Sequence, residues 1–213
     1  DLHLVSIRKG MYMDNSELSE ASQLDFVKRT FIQSADVQTN AADSCATEIL
    51  SAAKLISDAL QRGNKVLLCG NGGSAADCQH MATELLSQID REIERPGLAA
   101  IALTADTTFI TAYSNDFEYN GVFERQVNAL GTAGDVLIAI STSGESANIL
   151  KAVEAASKKD ISTIGLTGLS GKLKSLVNIS VEIPSDNVQF IQETHIVTEH
   201  IICMLVEKYL FGE

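Results

Sequence analysis

The chain has 213 residues, 45% of them hydrophobic, and a formal net charge of −12. That length and apolar content support one sizeable core, and two prolines with no low-complexity tract argue against disorder. With so acidic a balance there is no basic stripe to neutralise phosphates, which excludes a general nucleic-acid binder.

Cys45, Cys69, Cys78 and Cys203 lack C-x-x-C spacing and read as buried small residues of a reducing compartment. No apolar run is long enough to span a bilayer, and the start carries no signal-peptide pattern, so the expectation is a soluble cytoplasmic protein. The sequon Asn178-Ile179-Ser180 is then a chance match.

Residues 1–14 show no clear periodicity and read as an extension. From about Leu18 to Ser34, and again from Ala41 to Arg62, apolar residues recur at three- and four-residue steps, which predicts two helices, with Gly63 ending the second. Such a pair packs on its own domain or builds a subunit interface, and the interface is the favoured reading. Five β-rich runs follow, at 65–69, 99–103, 135–141, 162–167 and 178–183. They alternate with helical patterns at about 74–88, 106–113, 119–130, 146–158 and 171–176, and a last long helix is expected over about 188–210. This alternation predicts an α/β fold: a five-stranded parallel sheet with helices on both faces, plus the N-terminal helices.

In such sheets ligands bind beyond the carboxyl ends of the strands, and two ends stand out. After the strand ending at Cys69, the turn Gly70-Asn71-Gly72-Gly73 opens a helix at Ser74 and offers backbone N–H groups to an anion. That helix carries His80 and Glu84 four residues apart, hence on one face. The second end is Ser141-Thr142-Ser143-Gly144-Glu145-Ser146, where four hydroxyls in six residues exceed what an N-cap needs and suit a phosphate. An anion cradle beside an acid/base pair indicates a phosphorylated substrate and proton transfer.

Gly70-Asn71-Gly72-Gly73-Ser74-Ala75 also matches the loose dinucleotide pattern, but Asp90 and Glu92 precede the second strand rather than closing it, so the nicotinamide reading ranks low. A nucleotide P-loop ranks lower, because Gly171-Lys172 lacks the earlier glycine and the following hydroxyl. On the last helix Gln192 and His200 lie about 80° apart around the axis and roughly 12 Å apart along it. That rise strains any common contact unless the side chains lean together or another subunit completes the site. His195 takes the structural reading.

With these residues assembled, the chain resembles the sugar isomerase (SIS) domain family, and within it the phosphoheptose isomerases. The signatures are CGNGGSAADCQHMATEL at 69–85, RPG at 95–97, SNDF at 114–117, STSGESANILKA at 141–152 and IQETHIVTEH at 191–200. The resemblance covers about residue 40 to the end. It implies an N-terminal extension and helix over 1–40, a sugar isomerase domain over 41–213 and a three-layer, flavodoxin-like sandwich. It implies a catalytic pair at Glu84 and His200. Sugar-phosphate contacts are implied from Asn71, Gly72, Gly73, Glu84, Asn115, Asp116, Ser141, Thr142, Ser143, Ser146 and Gln192. Also implied are one zinc per subunit on His80, Glu84, Gln192 and His200, and a homotetramer with sites at subunit interfaces. Where the family often has an arginine after the catalytic helix, this chain has Gln88, and no role passes to it.

The implied reaction converts sedoheptulose 7-phosphate to D-glycero-D-manno-heptose 7-phosphate through an enediol(ate), for heptose and lipopolysaccharide core precursors. Such a ketose–aldose exchange moves one proton between C1 and C2 and another between O1 and O2, which suits one carboxylate and one imidazole. Two rivals are a non-enzymatic scaffold of the same fold that binds the replication initiator, and a sugar-phosphate sensor. The presence of both Glu84 and His200 argues against the scaffold.

Overall fold

The computed structural model describes residues 19–212. Five strands, β1 (Val66–Gly70), β2 (Ala100–Ala102), β3 (Val136–Ser141), β4 (Ser162–Gly168) and β5 (Ile179–Ile183), form one parallel sheet in the order β2-β1-β3-β4-β5. Every residue of β1 and β3 is buried, as expected of central strands covered on both faces. Neighbouring strands leave the sheet in opposite directions of strand order at the β1/β3 boundary, which is where open α/β sheets form their crevice. Gly70 pairs in register with Ile140, so the turns that follow β1 and β3 emerge side by side at that crevice.

Seven α-helices accompany the sheet among the described residues: α1 (Glu20–Gln61), α2 (Gly73–Leu86), α3 (Thr107–Asp116), α4 (Val122–Leu130), α5 (Ala147–Ser157), α6 (Leu173–Leu176) and α7 (Val188–Phe211). One core layer joins the inner faces of α1, α2 and α7 to Val66, Leu68, Ile138, Ile140, Ile164 and Leu166 of the sheet. The opposite layer joins Phe123 and Val127 of α4 and Ile149, Ala152 and Val153 of α5 to Leu67, Cys69, Leu137 and Ala139. The alternation of strand side chains between the two layers is the period of two that the pleat imposes. Tyr119–Gly121 forms a short 3₁₀ turn ahead of α4, where the sequence suggested one helix from 119.

The N-terminal region departs from expectation. In place of two helices there is one helix of 42 residues, capped by the Ser19 side chain, which accepts from Ser22 N–H at 3.3 Å. The stretch 35–40 contains no glycine or proline, so nothing breaks the backbone there. The apolar stripe shifts because the two halves serve different surroundings. Ala41, Cys45, Ile49, Ala52, Ala53 and Ile56 are buried in the core, whereas Leu24, Phe26, Val27, Phe31 and Ile32 are exposed. The extension over 1–14 and the helix start at Leu18 lie outside the described residues.

Candidate active site

The glycine turn is built for close approach. Gly70 has no room for a side chain, which would strike the Ser74 carbonyl, and Gly72 takes φ +57°, a conformation that favours glycine. Gly73 opens α2, and a Cβ there would lie 2.6 Å from Nε2 of Gln192 near the start of α7. Seven residues further along α2, His80 meets His200, eight residues along α7, with their Nε2 atoms 2.7 Å apart and the rings edge to face. The two helices therefore run side by side in the same direction. Glu84, one turn beyond His80, has Oε1 at 3.8 Å from His80 Nε2.

The far end of this helix pair is fixed by a buried ion pair. Arg95 reaches Glu207 of α7 at 2.7 Å and donates to the backbone carbonyls of Glu84 and Leu85 at 2.8 and 2.9 Å. These are C-terminal carbonyls of α2, which a cation suits. Glu207 also accepts from the N–H groups of Ile89 and Asp90 at 2.9 and 3.0 Å. Leaving any one partner unpaired there costs on the order of 3–5 kcal/mol. Arg95 was visible in the sequence only as part of a motif, and Glu207 carried no signal because its partners are distant in the chain.

At the second strand end, Ser141 closes β3 and its hydroxyl donates to Ser146 at 3.2 Å. Ser146 stands at the N-cap of α5 yet makes no side-chain cap bond, so plain capping does not account for it. Ser143 accepts from the Glu145 N–H at 3.3 Å, and Gly144 turns the chain at φ +63°. Asn71 and Asn148 of α5 join the two turns through a reciprocal amide pair at 2.9 and 2.8 Å. Asn115 and Asp116, at the end of α3, bond one another at 3.0 Å.

The structure thus brings His80, Glu84 and His200 together, sets Gln192 against Gly73, and places the glycine and serine turns side by side. The His80–His200 contact and the Gln192–Gly73 contact lie about 10 Å apart along α2. Among the described residues no three His, Cys, Asp or Glu side chains are gathered tightly enough to make a metal site unaided. The donors nearest to one are the two facing imidazoles with the Glu84 carboxylate beside them, and imidazole and carboxylate are donors suited to zinc.

Behind this face, α7 buries two further ionisable residues, His195 and Glu199. His195 is fully buried, with Nε2 3.4 Å from the Thr167 carbonyl, and burial pushes its pKa down to about 4 despite that hydrogen bond. It belongs to the core, as its sequence position suggested. Glu199 is buried with neither oxygen partnered among the described residues. Its pKa is pushed up to about 9, first by burial and then by Asp77. Burial likewise raises Asp77 from the ordinary carboxylate value, with His80 acting in the opposite sense.

A model of the SIS domain matches residues 31–168. The chain belongs to the SIS domain family. Its relatives include a phosphoheptose isomerase of Thiobacillus denitrificans, 47% identical over 186 residues that make up 85% of this chain and 93% of that protein. A second, from Shewanella sediminis, is 43% identical over 194 residues, 89% of this chain and 98% of that one. Among solved structures, the phosphoheptose isomerase of Francisella tularensis superposes with a TM-score of 0.83 at 39% identity, covering 87% of this chain and 98% of that chain. The Neisseria gonorrhoeae enzyme does so with a TM-score of 0.81 at 39% identity, covering 87% and 99%. The five-stranded parallel sheet and the helix layers that flank it agree with the sequence reading.

His195 gives a pH dependence. Folded, it stays neutral down to about pH 4, whereas the unfolded chain binds the proton near pH 6.5. Between those values acid favours the unfolded state, so the histidine destabilises the fold as pH falls. The expected outcome is that His195→Gln flattens the urea-stability curve of the protein between pH 6.5 and 4, by up to about 1 kcal/mol per pH unit. Parallel curves for the two proteins would show that His195 does not titrate this way.

Proposed function

We propose that this chain is an aldose–ketose isomerase that converts sedoheptulose 7-phosphate to D-glycero-D-manno-heptose 7-phosphate, supplying heptose for lipopolysaccharide core precursors. The observation that carries the proposal is the pairing of α2 with α7, which gathers His80, Glu84 and His200 along one helix seam in a chain so similar to phosphoheptose isomerases. Glu84 removes the proton from C1 of the ketose and returns it to C2, and His200 moves the second proton between O1 and O2. His200 Nε2 faces His80 Nε2 at 2.7 Å, so without metal one nitrogen donates and the other accepts. Holding the acid in one ring orientation is the part His80 plays.

The phosphate rests on neutral donors. Backbone N–H groups of Gly72 and Gly73 and the hydroxyls of Ser141, Thr142, Ser143 and Ser146 suit a dianion in a protein of net charge −12. Asn71, Asn115, Asp116 and Gln192 address the sugar. His80, Glu84, Gln192 and His200 would hold one zinc, which when bound polarises the carbonyl and stabilises enediolate charge.

The assembly proposed is a cytoplasmic homotetramer with sites at subunit boundaries. The exposed Leu24, Phe26, Val27, Phe31 and Ile32 form an apolar face on α1 without a partner among the described residues. A hollow of about 530 Å³ there reaches Ser34, whose hydroxyl bonds Glu193, next to Gln192. A partner seated on α1 therefore stands close to the site.

Two outcomes are expected. Glu84→Gln keeps the shape of the side chain but cannot accept a carbon-bound proton. A coupled isomerase assay is expected to show kcat down by about 10³-fold or more, with sugar-phosphate affinity within about threefold of the parent. Near-normal kcat would remove Glu84 as the base, and a wild-type chain that binds the sugar without turnover would be a sensor. On one purified sample, metal analysis and light scattering are expected to give about one zinc per chain and the mass of a tetramer. A metal-free active enzyme, or a monomer at micromolar concentration, would overturn the corresponding part.

A further inference from the structure

Asn71 sits between Gly70 and Gly72, where the backbone has the least side-chain restraint, yet its carboxamide is held from two sides. Tyr119, in the 3₁₀ turn, donates its hydroxyl to Asn71 Oδ1 at 2.9 Å. Asn148, buried in the first turn of α5, donates Nδ2 to the same oxygen at 2.8 Å and accepts from Asn71 Nδ2 at 2.9 Å. Both lone pairs of the Asn71 oxygen are then filled, and one amide hydrogen is used. A flip of the carboxamide would set its NH₂ against the Asn148 NH₂ group, so its orientation is fixed. Among the described residues, one Asn71 N–H remains uncommitted.

The same three residues tie three segments together. Asn71 belongs to the turn after β1, Asn148 to the helix after the serine turn, and Tyr119 to the segment that follows Asn115 and Asp116. The ion pair of Lys151 with Glu118 at 2.7 Å joins the last two again, but it is exposed and adds little.

We infer that Tyr119 and Asn148 are positioning residues: they hold the Asn71 carboxamide so that it offers a single N–H donor to an oxygen of the phosphorylated sugar, and they lock the three loops around that ligand. The identity of the ligand rests on the function proposed above. The hydroxyl of Tyr119 acts through Asn71 and not on the substrate, and this sets it apart from a direct contact.

The test is a double-mutant cycle on the full chain, with Tyr119→Phe, Asn71→Ala and the pair, read by calorimetric binding of sedoheptulose 7-phosphate and by turnover. Tyr119 is about half exposed and Phe keeps the ring, so the fold and melting temperature are expected to hold. Tyr119→Phe is expected to weaken binding and raise KM about fivefold, the worth of one neutral hydrogen bond, with kcat changed by less than about twofold. In the Asn71→Ala background the same substitution is expected to change nothing further. Unchanged affinity in Tyr119→Phe, or an equal loss in both backgrounds, would overturn the inference. A wild-type chain that binds the sugar phosphate without isomerising it would refute the isomerase and leave the latch standing, because binding alone completes the cycle. A wild type that binds no sugar phosphate would refute both.

Discussion

The parallel packing of α2 against α7 is the constraint on which the site depends. Helix dimensions alone do not bring Glu84 near His200, since the two residues are far apart in sequence and lie on separate helices. At one end Gly73 lets the Gln192 amide lie close against α2, where a Cβ would force that amide to shift. At the other end Arg95 binds Glu207 and the last carbonyls of α2 in one buried cluster. Fixed at both ends, the helices cannot slide past one another, and His80 and His200 meet between them at 2.7 Å. Ridge-into-groove packing tolerates few offsets between two helices, so a one-residue shift would part the histidines altogether.

Sheet and loops supply the rest. Parallel register places Gly70 opposite Ile140, so the glycine and serine turns emerge together, and the Asn71–Asn148 pair ties them. An acidic chain holding a phosphorylated sugar has reason to use dipoles and hydroxyls here, because these need no compensating charge and remain where the backbone puts them. The buried Glu199 and the half-buried Asp77 of α2 have the opposite character: burial drives both carboxyls toward the neutral form, and their oxygens lack full partnering. Such under-satisfied buried groups are features that call for an explanation in function.

Much of this was legible in the sequence for identifiable reasons. The five strands are short apolar runs bounded by turns, and all five were located. The glycine and serine turns stood out because their composition exceeds what a simple turn or cap requires. The continuity of α1 was not legible: apolar periodicity reports what a helix packs against, and Ser34, Gln38 and Ala41 mark a change of surroundings, not of backbone. Nor were the partnerships of Gly73 with Gln192 and of Arg95 with Glu207, which are tertiary facts between residues more than a hundred positions apart. Asn148 was visible inside a motif, yet its role depends on a neighbouring loop that only the sheet register brings within reach.

The central claim is that these two helices assemble a proton-transfer site for a phosphorylated ketose. Its most direct measurement is proton NMR of the full chain with sedoheptulose 7-phosphate in deuterated water. The account predicts that aldose signals grow with time and that solvent deuterium enters C2 of the product, as transfer through a carboxylate open to exchange requires. A ketose spectrum that stays unchanged in the presence of folded, zinc-supplied protein would contradict it.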